Sequence, residues 1–261
     1  AGDFVPLDFE LNFADPEQIA PITLSDGEVT LNMSGVADRV DGWLHDGKLY
    51  LRVVDYKTGK KSFDLAELRY GLGLQMLLYL FTLKEEGQML FGGHEIVPAG
   101  VLYTPAREPM LRCARDTEPE KIEKALKKEL RRSGMVLEDP AVLQAMEHSA
   151  LESPCYLPLA VKRDGAVTGS LASAEQLGKL SKYVDHILHE ITQEVFAGNI
   201  DADPYARTPQ QSACTYCEFA SACHFENGCG SDRMEYIKAT KNDEFWKYID
   251  EVNGEGAHEN G

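Results

Sequence analysis

No stretch of the 261-residue chain comes near the ~18 consecutive apolar residues that a membrane span needs. The N-terminus carries no basic region followed by an apolar run, so no signal peptide is read there. Basic residues are scarce, 26 against 43 acidic ones, for a formal net charge of −17. A protein that grips nucleic acid through its overall field is excluded by that balance, while a local basic channel is not. Six cysteines in so long a chain do not make a disulfide scaffold. Repeats at solenoid periods and low-complexity tracts are also missing. These absences leave a protein of the cytoplasm, with 43% hydrophobic and 26% charged residues, long enough to bury a substantial core. The chain begins at Ala1 rather than Met, which fits a processed product or an excised fragment.

What is present is organised around Gly35 to Lys57. Asp46-Gly47 is a strong two-residue hairpin turn between runs rich in Val, Leu, Tyr and Trp. If it closes His45 onto Lys48, Asp41 faces Arg52 as a cross-strand ion pair and Asp38 faces Asp55. Like charges at that separation are destabilising. Alternation places Lys57 on the Asp55 side of the sheet. The arrangement reads either as a salt-bridged hairpin or as a site for a divalent cation. Mg²⁺ commonly takes one or two carboxylates and keeps its waters. Asp38 and Asp55 meet that demand, the Tyr56 carbonyl offers a third oxygen, and Lys57 stands beside them. Gly35 interrupts an alternating strand over residues 29–34, which predicts a bulge or a close backbone approach. Glu10, in an earlier apolar run, reads as a solvated strand carboxylate, and Asp26-Gly27 as a turn.

Beyond the hairpin, a basic turn at 58–61 leads into one helix predicted over 65–84. Asp64 and Glu67 form a capping-box-like start, and Gly87 is the stop. Gln75 and Tyr79 share a face of that helix. Short strands are predicted over 98–103 and 110–113. A helix over 118–132 ends in Lys127, Lys128, Arg131 and Arg132, which read as a solvated helix terminus rather than a phosphate contact. A short helix over 140–148 and a strand near 156–162 follow. Ser173 and Gln176 open an amphipathic helix whose stripe is Leu177, Leu180, Val184, Ile187, Ile191 and Val195, and Gly198 closes it. The chain divides into a core over 1–199, a cysteine segment over 200–230, and a C-terminal helix over 231–261 with a disordered acidic tail from about Gly254.

Three successive motifs resemble those of the RecB-like PD-(D/E)xK nucleases. They are G-x-x-D at Gly35–Asp38, D-x-K at Asp55–Lys57 and Q-x-x-x-Y at Gln75–Tyr79. The resemblance implies an α/β fold, a restriction-endonuclease-like mixed sheet flanked by helices, with a cysteine-rich C-terminal segment. It also implies Asp38 and Asp55 as ligands of Mg²⁺ or Mn²⁺, Lys57 as the catalytic lysine, and Gln75 and Tyr79 as substrate-contacting residues. The reaction would be hydrolysis of DNA phosphodiesters by activated water.

Cys214, Cys217 and Cys223 form C-x2-C-x5-C, a metal-ligand spacing. Zinc would draw a fourth ligand from His224 or Cys229, and an iron–sulfur cluster would take a fourth Cys. Cys113, Cys155 and Cys229 read as ordinary thiols. With this triplet, residues from about Phe4 to Phe225 resemble the C-terminal nuclease domain of the AddB family, including YGLGLQMLLYL. That family implies a 4Fe–4S cluster held by the triplet and a far-upstream Cys. It also implies an AddA-like helicase–nuclease partner, and single-stranded DNA from unwound duplex as substrate during double-strand break resection. No Cys precedes Cys113 and no His precedes His45, although the families carry both upstream; a fragment beginning inside the nuclease domain would show both absences. A small basic surface (Arg39, Lys57, Lys60, Lys61, Arg69) would meet DNA locally. The competing readings are a stand-alone RecB-like or CRISPR-associated nuclease and a catalytically silent DNA-binding scaffold domain.

Overall fold

The structure, a computed structural model, describes residues 2–15, 18–26, 29–59 and 61–259. The chain runs β1 (Val5–Asn12), β2 (Ile22–Asp26), β3 (Val29–Met33), β4 (Val36–His45), β5 (Lys48–Lys57), α1 (Leu65–Arg69), α2 (Gln75–Glu86) and β6 (Glu95–Pro105). It continues with α3 (Pro119–Glu129), β7 (Ser133–Leu137), α4 (Pro140–Met146), β8 (Leu159–Val161), β9 (Val167–Gly169), β10 (Leu171–Ala172) and α5 (Ala174–Phe196). The C-terminal part holds β11 (Tyr205–Thr208), β12 (Gln211–Ser212), a 3-10 turn (Ala213–Tyr216), α6 (Ala220–Cys223), β13 (Glu235–Tyr236) and α7 (Asn242–Glu259).

The main sheet has the order β1-β4-β5-β6-β7-β10. Its β5/β6 and β7/β10 pairs are parallel and the others antiparallel, so it is mixed, as expected for the fold class. A parallel pair cannot be joined by a tight turn. The β5-to-β6 connection therefore crosses over through α1 and α2, and α2 packs on β5 and β6. Topology alone thus delivers the Gln75–Tyr79 helix to the sheet beside the hairpin. The core is one continuous cluster in which Leu51, Leu77, Leu80, Leu83, Leu102 and Met135 are almost fully buried.

The hairpin has the predicted register: His45 pairs with Lys48, Gly42 with Leu51 and Asp41 with Arg52. Asp46 and Gly47 both take left-handed φ (50° and 77°), the backbone of a type I′ turn, whose twist matches the strands it joins. The Asp41–Arg52 pair is buried with Arg39 added. The Asp41 carboxylate accepts from Arg39 Nε at 2.5 Å and Nη2 at 2.7 Å, and from Arg52 Nε and Nη2 at 2.9 and 2.8 Å. Burial alone would raise the Asp41 carboxyl, but the Arg39 hydrogen bonds and the Arg52 charge hold it below the usual carboxylate range. Phe4 lies over the Arg52 guanidinium at 4.8 Å, and Asp3 N–H donates to Ala145 O of α4, so the N-terminal segment and α4 cover this face.

Several elements differ from the sequence-based expectation. The single helix over 65–84 is two, because Gly71 and Gly73 take φ of 70° and 71° and break the backbone between α1 and α2. Asp64 does cap α1, accepting from Ala66 N at 2.8 Å, while the Glu67 carboxylate turns away to Arg207 at 3.0 Å instead of closing a capping box. Residues 110–113 form no strand; Met110, 95% exposed, has no sheet to lie against. The helix predicted over 118–132 stops at Glu129. α5 opens with the predicted Ser173/Gln176 capping box, and its stripe is buried through Val184, with Ile187 half-buried. Ile191 and Val195 are exposed, since the last turns run beyond the elements that cover the first half. Helix α7, anchored by buried Phe245 and Ile249, continues to Glu259 past Gly254, where composition predicts a disordered tail. Adding a residue to an existing helix is far easier than starting one. Gly27 and Lys60 lie outside the described residues.

Candidate active site

Asp38, Asp55 and Lys57 come from two adjacent antiparallel strands and share one face of the sheet, because side chains alternate. The predicted opposition of Asp38 and Asp55 stops one pair short of a regular ladder, which ends at Arg39 and Val54. Asp38 leaves the ladder: its Oδ2 accepts the Tyr56 backbone N–H at 2.8 Å. One carboxylate is thereby fixed against the backbone between Asp55 and Lys57. Asp55 is nearly buried, and Lys57 Nζ lies 3.0 Å from its Oδ1 and 2.8 Å from its Oδ2. Only the Oδ1 contact has hydrogen-bond geometry, so Asp55 Oδ2 is a buried oxygen without a hydrogen-bond donor. The Lys57 ammonium at 2.8 Å nonetheless pairs with it by charge.

Tyr103, paired with Asp55 across the parallel β5/β6 ladder, closes the floor. Burial first, and then the Asp55 charge, push its phenol up to about 12, so it stays protonated near neutrality. Lys57 Nζ stands 5.9 Å from the centre of its ring.

The Gln75–Tyr79 pair is where the helix face predicts, with Gln75 Nε2 donating to Tyr79 Oη at 2.9 Å. What the sequence does not show is its partner. Tyr79 Oη rests against Gly35, where an added Cβ would meet it at 2.1 Å, and the Tyr79 ring stacks on Phe13 at 4.6 Å. The first residue of the G-x-x-D run and the last of Q-x-x-x-Y are thus in direct contact. Gly35 is the close backbone approach inferred from the broken alternation.

Glu10 is exposed, as its solvated reading predicts, yet its backbone is left-handed at φ 53°. It lies between the pairs Phe9–Arg39 and Leu11–Ala37, hence across from Asp38. A strained non-glycine residue at that position had no local sequence signal. Of the basic residues expected to meet DNA, Arg39 points to the other face, donating to Asp41 and to Tyr56 Oη. Arg69 stacks over Tyr248 at 4.5 Å, away from the hairpin. Lys57 and Lys61 remain, and they line a cavity of about 300 Å³ together with Lys128 and Arg131. Both are exposed, as a solvated helix terminus predicts, while they line this cavity. The β6–α3–β7 excursion folds the end of α3 back to the mouth of the site.

Two carboxylates on one face, one tethered by a backbone amide and the other nearly buried, suit a hard divalent cation that keeps several waters. Cys214, Cys217 and Cys223 are free thiols, the latter two exposed. Among the described residues no three His, Cys, Asp or Glu side chains are grouped to hold a metal ion. C-x2-C-x5-C supplies three thiolates, one short of the four-ligand set that would draw them together.

A family profile described as the PD-(D/E)XK nuclease superfamily matches residues 1–224. Curated relatives are named as the B-type subunit of an ATP-dependent helicase/deoxyribonuclease. The protein from Thermoanaerobacter sp. (strain X514) is 32% identical over 260 residues, covering 98% of this chain and 22% of its own length. That from Clostridium kluyveri is 31% identical over 253 residues, covering 95% and 22%, and that from Clostridium botulinum (strain Loch Maree / Type A3) is 34% identical over 253 residues, covering 95% and 22%. The chain spans about a fifth of the length of these relatives. With its mixed sheet, flanking helices and three motif segments meeting on one face, this chain belongs to the PD-(D/E)XK nuclease superfamily.

Proposed function

We propose that this domain hydrolyses phosphodiester bonds of single-stranded DNA with Mg²⁺ or Mn²⁺. It would act as the exonuclease of an AddAB-type helicase–nuclease that resects double-strand breaks beside an AddA-like partner. The observation that carries the reading is the set of Asp38, Asp55 and Lys57 on one face, with Asp38 tethered by the Tyr56 amide and Asp55 nearly buried against Lys57. The names of the relatives support the assembly and the substrate.

Asp38, Asp55 and the Tyr56 carbonyl would hold the cation. When bound, it polarises a phosphoryl oxygen and brings the pKa of its water toward ~7. The protein's own groups do the rest. Asp38, tethered by the Tyr56 amide, is held in place before any ligand arrives. Lys57 supplies a positive charge beside the attacked phosphate, where negative charge grows in the transition state, and orients the entering water. Its ammonium is held in reserve by Asp55 at 2.8 Å. Gln75 commits its Nε2 to Tyr79 and keeps its Oε1 for substrate, while Phe13 and Gly35 lock Tyr79 in position. For the cysteine segment we propose three of the four thiolates of a 4Fe–4S cluster in the full-length protein. No step above depends on it. Iron and acid-labile sulfide content tests it, and colourless protein with stoichiometric zinc contradicts it.

The test of the site is Mn²⁺ binding followed by electron paramagnetic resonance, alongside single-strand cleavage, in the full-length wild type, Asp38→Ala and Asp55→Ala. Both variants should bind Mn²⁺ at least about tenfold more weakly and lose cleavage. Wild-type affinity and activity in both would remove the hairpin from the mechanism.

A further inference from the structure

The cavity beside Lys57 has a composition that the chain as a whole does not prepare for. Against a net charge of −17, its charged lining is Lys57, Lys61, Arg107, Lys128 and Arg131, with Glu129 the one carboxylate. These residues come from four separate places: the end of β5, the turn after it, the segment after β6, and the end of α3 with the loop into β7. Five like charges gathered from such distant segments repel one another unless an anion satisfies them.

The local carboxylates do so only in part: Lys57 pairs with Asp55 at 2.8 Å. Arg107 reaches Glu129 at 3.3 Å, and Lys61 reaches Glu67 only at 3.7 Å. Lys128 and Arg131 form no ion pair with any described carboxylate. The lining is also held in place. Ser133 Oγ donates to the Lys61 carbonyl at 2.6 Å, fixing the turn, and Arg131 Nε donates to Leu157 O at 2.8 Å. That bond anchors the guanidinium and leaves its two terminal nitrogens for another acceptor. A helix C-terminus favours lysines in its last turn, and this accounts for Lys127 and Lys128 as a pair. It does not account for Arg131, Arg107 and Lys61 converging on the same cavity of about 300 Å³ with Lys57 in its wall.

We propose that this cavity is a phosphate subsite of the nuclease, holding a phosphate of the same DNA strand next to the phosphodiester at Lys57. The inference rests on the nuclease reading above and adds to it the part that sets register on the strand. The anion is a phosphate, because a phosphate presents several oxygens to fork-like and point-charge donors at once. Its source is either an internal backbone phosphate or a terminal one. Lys128 and Arg131 are binding groups here, and cleavage itself stays with the hairpin.

The test compares Lys128→Ala/Arg131→Ala with a charge-matched control, Lys121→Ala/Lys124→Ala, on the same helix but outside the cavity. Each is made in the full-length protein, and single-strand cleavage is measured between about 50 and 200 mM salt. The cavity variant should raise KM roughly tenfold, as removal of a charge-assisted hydrogen bond does, with kcat little changed. The salt dependence of binding should become shallower by about 0.7 in log–log slope for each phosphate that the protein no longer neutralises. A circular single strand and linear strands with and without terminal phosphate separate the two sources. An effect on every strand marks an internal phosphate, and an effect confined to phosphorylated ends marks a terminal one. A cavity variant that matches the control on all three overturns the subsite. If Lys57→Ala, run in parallel, still cleaves, the nuclease reading fails as well; if only the cavity variant is silent, the subsite fails alone.

Discussion

Gly35→Ala tests whether the three motif segments work as one packed unit. A Cβ at residue 35 would lie 2.1 Å from Tyr79 Oη, 3.0 Å from Cζ and 3.2 Å from Cε1. Carbon–oxygen contacts ordinarily sit at about 3.3–3.6 Å, so one side must move by more than about 1 Å. Neither moves easily. Tyr79 is 5% exposed and stacked on Phe13, whose own N–H donates to the Gly35 carbonyl at 2.9 Å. Overpacking of this kind costs about 1–3 kcal/mol. In a Tyr79→Phe background the nearest obstacle becomes a ring carbon at 3.0 Å, which a small rotation relieves. The same substitution should then cost at least about 1 kcal/mol less, a coupling in the range seen for touching residues. Hydrogen exchange in the full-length protein, on peptides spanning residues 29–45 and 75–86, reads the local cost. Each ~1.4 kcal/mol appears as about a tenfold loss of protection or of cleavage rate. Equal cost of Gly35→Ala in both backgrounds would refute the contact between the two motifs as the cause.

Other outcomes follow from the same geometry. Asp41→Asn leaves the buried Arg52 guanidinium, already with an orphaned Nη1, and the half-buried Arg39 without their anion, and should cost about 3–5 kcal/mol. Because the folded Asp41 pKa lies below its ordinary 3.8, the Asp41 contribution is complete above about pH 4 and disappears as pH falls through the lower folded value. The variant should therefore show a flatter acid limb in thermal denaturation from about pH 5 down to about pH 2, and an unchanged limb would count against the network. Asp55→Asn removes the second cause of the raised Tyr103 pKa, so the phenol should titrate below about 12 in a phenolate absorbance titration assigned with Tyr103→Phe. Glu10→Gly relieves a left-handed backbone worth about 1–2 kcal/mol and should raise protection of the β1 amides; lowered protection would mean that the conformation is not strained.

How much of this is visible in the sequence depends on the range of the interaction. The hairpin is local: Asp-Gly sets the turn, the turn sets the register, and the register places Asp41 on Arg52 and Asp55 on the Asp38 side. The Ser173 capping box is local too. The break at Gly71 and Gly73 is hidden because apolar residues continue on both sides of it, so composition reads as one helix. The contact of Gly35 with Tyr79 joins two segments far apart in the chain and is legible only as two separate motifs. The cationic cavity is less legible still. Lys128 and Arg131 look like an ordinary helix end until the sheet order brings β7 alongside β6. Glu10 shows the opposite case, where an ordinary strand carboxylate takes a backbone conformation that only the neighbouring strand explains.

That the Asp38–Asp55–Lys57 face cleaves DNA, as proposed, is tested most directly by Lys57→Ala, with thermal stability as the internal control. Single-strand cleavage should fall at least about a hundredfold, the scale of a lost transition-state charge, with the fold intact. Cleavage at the wild-type rate with Mg²⁺ would contradict a catalytic role for this face.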